Sequence, residues 1–261
     1  MHPTPKLYAF TCGWVVGPFR GEEAGGVRIP VPCYLVDHPA GRALIDTGLN
    51  PGMRDDPHAR IGRVADLMTC ELPEGEDVVS RLGAIGTLPA DLALLVNTHL
   101  HFDHAGGNEL IPDHVELVVQ AAEWEAGHTP EGIEANFFNP ADYDQRRPVR
   151  QVEGEHDLFG DGSVLCLPTP GHTPGHQSLR VRLDGGDVVI CADACYFEDW
   201  LDSEQMPPYG FDKDQELESL RRLRRLRDGG SRILLGHDPD QWASVPQAPD
   251  AVEIDVVRGG T

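Results

Sequence analysis

Lysine is nearly missing from this chain of 261 residues: Lys6 and Lys213 are the only two, so arginine supplies almost all of the positive charge. With 43 acidic against 21 basic side chains the formal net charge is −22. A polyanion such as a nucleic-acid backbone, or an anionic membrane surface, would be repelled over a Debye length, so neither is expected as a partner. Long apolar runs are also missing. No stretch is long enough to cross a bilayer, and the N-terminal "MHPTPKLYAFTCGW" has no basic segment followed by an apolar one. A soluble, cytoplasmic protein is therefore expected. The six cysteines form no C-x-x-C pair, and several sit inside apolar, strand-like runs. They read as reduced, buried small hydrophobes rather than as a disulfide frame or a zinc–thiolate site. No linker, low-complexity run or long-period repeat divides the chain, which predicts one domain over residues 1–261 with a substantial core.

What is present is an interleaving of strand and helix patterns. "VPCYLV" and "RALIDTG" flank the turn-rich "DHPAG" and predict a hairpin ending at Asp46. "DVVSRLGAIG" reads as a short helix, "DLALLVNTH" as a buried strand, "VELVV" as a strand and "QAAEWEAG" as a helix. "SVLCLP", "QSLRVRL" and "DVVICAD" are three strands, the last two joined by a "DGG" hairpin. "DKDQELESLRRLRRLRDGG" is the clearest helix: acids open it, arginines close it, and Gly229 and Gly230 stop it. Leu217, Leu220, Leu223 and Leu226 are expected to face the core. "RILLGHD" is a final strand, and "EDWLDSEQMPPYGFD" reads as a long surface loop that forms a pocket rim or a dimer contact.

The chemistry is concentrated in "NTHLHFDHAGGN", where His99, His101, Asp103 and His104 occupy six positions directly after "LALLV". Two residues apart on an extended chain, the imidazoles of His99 and His101 project to one side, whereas a helix would set them about 200° apart. The two glycines would let backbone come close to whatever the side chains hold. One ion cannot take all four donors, and imidazole with carboxylate suits zinc, which usually takes four ligands. Further donors follow other apolar runs: His172 in "PTPGHTPGH", Asp193 in "ICADACY" and His237 in "LLGHD". Open sheets place their sites at such strand ends.

"HLHFDH", then "GHTPGH", "ADACY" and "GHD", resembles the metallo-β-lactamase superfamily, an αββα sandwich whose hydrolases carry an H-x-H-x-D-H metal motif. The phrasing "THLHFDHAGGN…GHTPGHQS…DACY" is most similar to the N-acyl-homoserine lactone lactonases, the quorum-quenching enzymes. The resemblance runs from the "DTG" at Asp46 to His237. It implies one divalent ion on His99, His101 and His172, a second on Asp103, His104 and His237, and Asp193 bridging both. Zinc is the ion implied, with cobalt, iron or manganese as alternatives. Tyr196 matches the position of the lactonases' active-site tyrosine, and a homodimer is implied as well.

Two cations close together lower the pKa of a shared water, and the resulting bridging hydroxide would attack a lactone carbonyl held by one ion and the Tyr196 hydroxyl. Asp103 would relay the proton to the leaving alkoxide. Asp46 is expected to support rather than to ligate. His114, His128, His156 and His176 are expected to be structural or solvent-facing, and His2, His38 and His58 carry no signal. An acyl chain needs an apolar groove, for which Phe102, Phe137 and Phe138 are the candidates, with Trp200, Tyr209 and Phe211 nearby. Another lactone, ester or phosphotriester hydrolase of the same superfamily is the alternative. A diiron or metal-binding module is a third, disfavoured because a flavin domain would normally accompany it.

Overall fold

In the computed structural model, which describes residues 4–21 and 26–254, two mixed β-sheets lie face to face with helices on the outside. His2 lies outside the described residues. The first sheet is built from β1 (Lys6–Gly17), β2 (Val27–His38), β3 (Gly41–Ile45), β4 (Thr69–Glu71), β5 (Leu92–Val96), β6 (Glu116–Gln120) and β7 (Val149–Val152), in the order β4-β1-β2-β3-β5-β6-β7. The second holds β8 (His156–Asp157), β9 (Val164–Pro168), β10 (Gln177–Leu183), β11 (Gly186–Ile190) and β12 (Arg232–Leu234), in the order β12-β11-β10-β9-β8. The described helices are α1 (Pro57–Ile61), α2 (Val78–Ala84), α3 (Phe102–Ala105), α4 (Ala121–Ala126), α5 (Pro130–Ala135), α6 (Glu198–Ser203), α7 (Lys213–Asp228) and α8 (Pro239–Trp242). Among the described residues no helix is long and apolar enough to cross a membrane.

Strict alternation explains the layering. Tyr34, Val36, Ala43, Ile45, Leu94 and Val96 of the first sheet point inward and meet Val164, Cys166, Leu179, Val181, Val188 and Ile190 of the second. The residues between them point outward: Leu35, Leu44 and Leu95 pack under Val78 and Leu82 of α2. Val189 and Ile233 pack under Leu220 and Leu223 of α7 and Trp200 and Leu201 of α6. Strands covered on both sides read as unbroken apolar runs, which is how "LALLV" and "DVVIC" look in sequence.

The expected β2–β3 hairpin is present, with His38 opposite Gly41 and Tyr34 opposite Ile45. The expected αββα layering is likewise what the two sheets and outer helices form. Three features differ from the pattern reading. The twelve-residue β1 has no clear strand pattern in the sequence, since its apolar and polar residues alternate too irregularly to stand out. The "EDWLDSEQMPPYGFD" stretch is not all loop: it opens with α6, whose Trp200 and Leu201 are buried. In α7 only Leu220 and Leu223 are fully buried, Leu217 and Leu226 only partly, while Glu216 and Ser219 share the buried face. The cysteines are all unpaired and, except for the half-buried Cys70, buried.

Candidate metal centre

Parallel pairing delivers the donors. β3 and β5 run side by side with Ile45 opposite Val96, so Asp46 and Thr98 emerge next to each other at one edge of the first sheet. β11 and β12 run parallel with Ile190 opposite Leu234, which brings Asp193 and His237 to the same edge of the second. His172 comes from the turn between β9 and β10, whose ends pair Pro168 with Gln177. After His101 the chain turns into α3, a single helical turn that points Asp103 and His104 inward. Gly106 and Gly107 make this possible by backbone contact: a Cβ at Gly106 would lie 2.8 Å from the Gly48 oxygen, and one at Gly107 2.5 Å from the Thr47 oxygen. Their close neighbour is thus the loop after Asp46, rather than a ligand of the cluster.

The seven expected donors converge as two groups: His99, His101, His172 and Asp193 in one, Asp103, His104 and His237 in the other, with the donor atoms of each group within 4.8 Å of one another. His99 Nε2 and His172 Nε2 each lie 3.0 Å from His101 Nδ1. Asp193 stands between the groups. Its Oδ2 is 3.2 Å from His172 Nε2 and 3.8 Å from His99 Nε2, while its Oδ1 is 2.9 Å from His104 Nε2 and 3.1 Å from His237 Nε2. Asp103 Oδ2 lies 3.7 Å from His104 Nε2 and 3.8 Å from His237 Nε2.

The tautomers are set from behind. His104 Nδ1 donates to Asp46 Oδ2 at 2.9 Å, His237 Nδ1 to the Pro30 carbonyl at 2.8 Å, and His101 Nε2 to the Asn136 carbonyl at 2.9 Å. Each leaves its other nitrogen aimed into the cluster. Asp46 also accepts from the Thr98 amide and hydroxyl, at 2.8 and 2.7 Å, which is the supporting role its "DTG" suggested. His176 is buried and structural: its Nε2 accepts from the Asp193 amide at 3.1 Å.

Burial, reinforced by neighbouring imidazoles, holds His99 and His172 well below the ordinary histidine value. At His104 burial also opposes protonation, but the carboxylates of Asp193, Asp103 and Asp46 outweigh it and push the pKa well up. Asp193, despite its burial, is held well below the carboxylate range by His104, His237, His99 and His172. Cations bind neutral imidazoles and ionised carboxylates, a form His99, His172 and Asp193 already favour, whereas His104 must give up a proton to bind one.

Divalent metal ions fit this donor set. The His104 Nε2 atom is buried without a well-formed hydrogen bond although a carboxylate oxygen is 2.9 Å away. The 3.0 Å from His101 Nδ1 to His99 Nε2 and to His172 Nε2 is close to the spacing of about 3.3 Å between ligands on one tetrahedral zinc.

A pocket opens over the cluster, lined at its floor by His101, Asp103, Asp193, Tyr196 and His237. Phe102 and Phe137, both expected, line its wall, as do Val15, Phe19, Val64, Leu67, Met68 and Tyr209. Phe138 instead turns into the core with Leu100 and Tyr143, its ring 5.6 Å from that of His101. Trp200 stacks behind Tyr196 at 5.8 Å, and Phe211 is exposed outside the pocket. The Tyr196 hydroxyl donates to Asp193 Oδ2 at 2.8 Å. Pattern reading missed the wall residues Val15, Phe19, Val64, Leu67 and Met68. The first two lie on or near β1, and the others belong to short turns without periodicity.

Residues 26–237 match the family model of the metallo-beta-lactamase superfamily. A curated relative, the N-acyl homoserine lactonase AttM of Azorhizobium caulinodans, is 34% identical over 230 residues, which cover 85% of this chain and 87% of that protein. The N-acyl homoserine lactonase AiiA of Bacillus thuringiensis subsp. kurstaki is 32% identical over 235 residues, 87% of this chain and 88% of that protein. A solved structure described as an N-acyl homoserine lactone hydrolase, with the product N-hexanoyl-L-homoserine bound at the catalytic metal centre, superposes with a TM-score of 0.84. It shares 30% identity over 97% of this chain and 100% of its own.

Proposed function

Since this chain belongs to the metallo-beta-lactamase superfamily, we propose that it is a metal-dependent hydrolase that opens the lactone ring of N-acyl homoserine lactones. The observation that carries this reading is the Tyr196 hydroxyl, 2.8 Å from Asp193 on the floor of a pocket with a mostly apolar wall, directly beside the converging donors. The similarity to the lactonases AttM and AiiA supports the same substrate class. His99, His101 and His172 would hold one divalent ion and Asp103, His104 and His237 the other, with Asp193 shared. Zinc is the ion that imidazole and carboxylate donors favour. The unpaired cysteines agree with a reducing, cytoplasmic setting. One domain over residues 1–261, assembled as a homodimer, completes the proposal.

When bound, the two ions would supply Lewis acidity and lower the pKa of a water enough to make it a nucleophile near neutral pH. The residues do the rest. Tyr196 turns its hydroxyl from Asp193 to the lactone carbonyl oxygen as negative charge develops there. Asp103, which borders both the pocket and His104, takes the proton of the attacking water and returns it to the ring oxygen. The water oxygen joins the carbonyl carbon, the acyl–alkoxy C–O bond breaks, and the product is an N-acyl homoserine with a free carboxylate. Phe102, Phe137, Val64 and Met68 keep bulk water from the acyl side.

Proton release from metal-loaded protein, measured with acyl homoserine lactones of graded chain length, simple γ-lactones and aryl phosphotriesters, tests the reading. Turnover of the acylated lactones is expected, and failure on all of them overturns it. Turnover of phosphotriesters alone would transfer the site to the alternative hydrolase class.

A further inference from the structure

Among the described residues, Tyr209 is the one polar member of a pocket wall otherwise made of hydrocarbon and thioether side chains such as Phe19, Val64, Leu67, Met68 and Phe137. Like the Tyr209 ring, that of Tyr196 lies against His172, their centroids 6.0 Å apart. Tyr196 commits its proton to Asp193 Oδ2, because an ionised carboxylate only accepts. The oxygen of the Tyr209 hydroxyl carries lone pairs that can accept.

The position of Tyr209 is held by backbone contacts. The Lys213 ammonium donates to the carbonyls of Pro207 and Tyr209 and pairs with Glu216. The Phe211 amide donates to the His172 carbonyl at 3.1 Å and the Asp212 amide to the Gly171 carbonyl at 2.9 Å, tying this segment to the turn that carries His172. The Tyr209 ring lies 6.2 Å from that of His172.

We propose that the Tyr209 hydroxyl accepts a hydrogen bond from the exocyclic amide N–H of an N-acylated lactone, and so selects amide-bearing lactones over lactones that lack the N–H. The inference rests on the lactonase reading of the site. In such a substrate the nitrogen is attached to the ring carbon next to the carbonyl, so a carbonyl placed at Tyr196 brings the N–H against the adjacent wall. Without an acceptor that N–H would be buried unpaired, which is unfavourable.

The test compares the wild type with Tyr209→Phe, which keeps the ring and its packing, on a matched pair: N-hexanoyl homoserine lactone and α-hexanoyloxy-γ-butyrolactone, in which oxygen replaces the N–H. The ratio of kcat/KM for amide over ester should fall about fivefold in the variant, the effect of one neutral hydrogen bond. Any loss on the ester and on simple γ-lactones should be clearly smaller than the loss on the amide. Calorimetric affinity for the ring-opened N-hexanoyl homoserine should fall by a similar factor. An unchanged ratio, or an equal loss on amide and ester, overturns the role of Tyr209 while leaving the lactonase reading standing. A wild type that opens none of these lactones overturns both.

Discussion

Each histidine of the centre has two nitrogens, and the surrounding fold engages one of them for most. His101 gives a proton to Asn136, His104 to Asp46 and His237 to Pro30. The remaining nitrogens face inward, so the donor set is pre-ordered before any ion arrives. Two substitutions probe it. Tyr196→Phe should retain both metals and slow lactone hydrolysis on the order of tenfold, since one oxyanion donor is lost and the Lewis acids remain. Turnover equal to the wild type would make Tyr196 a wall residue. Asp193→Asn exchanges the shared, strongly ionised carboxylate for a neutral amide, so metal content measured on purified protein should drop. Full occupancy in that variant would refute the shared role. The donors themselves were legible from the sequence because each closes or follows an apolar strand. Asp46 was legible as a support too, but Asn136 and Pro30 were not, because they are ordinary residues brought in from far along the chain.

At the level of elements, α4 is a clamp. Its Glu123 is fully buried and accepts from the Leu100 amide at 3.0 Å and the Gly175 amide at 2.8 Å. These amides sit in the two turns that carry His99, His101 and His172. The turn at Gly175 presses so closely on the helix that a Cβ there would come within 2.2 Å of the Glu123 nitrogen. Burial pushes the Glu123 carboxyl up to about 7. Glu123→Ala strands two buried amides, and we expect a loss of about 3 kcal/mol in unfolding free energy, read from the denaturant midpoint. A change within about 0.5 kcal/mol, typical of surface sites, would show that α4 does not clamp the turns. The helix was visible in "QAAEWEAG"; the carboxylate looked like any solvated acid, since a helical pattern does not say which turns will fold back onto it.

For the molecule as a whole, pH should act through groups remote from the centre as well. Asp142 is fully buried and pairs with Arg60 at 2.8 Å, which in turn lies 3.3 Å from Glu109. Together with the bond from the Asn139 amide group to the Arg60 carbonyl, this joins α1 to the chain after α5, the two segments next to the pocket wall. Burial, working against the Arg60 charge, raises the Asp142 carboxyl from 3.8 to about 7. The folded state then keeps this proton over a pH range in which the unfolded chain has released it. The Asp142 contribution to stability is therefore greatest below about pH 4 and declines until about pH 7. In Asp142→Asn that decline disappears. Relative to the wild type, its Tm should rise steadily between pH 4 and 7 and then level off. A constant difference across that range would contradict the shift.

The sequence by itself determined the inventory and its order: which strands are covered on both faces, where they end, and that seven metal-type donors stand at those ends. Period-two alternation and the i, i+2 spacing of His99 and His101 are local properties, so a local pattern carries them. Tertiary structure alone decided that Asp193 turns one oxygen to each group of histidines, that Phe138 leaves the pocket while Phe137 stays, and that Tyr209 meets Tyr196 in an apolar wall. Those outcomes depend on parallel pairing and on contacts between residues more than two hundred positions apart, such as His237 and Pro30. No periodicity along the chain records a contact of that kind, because it arises only when the two sheets pack.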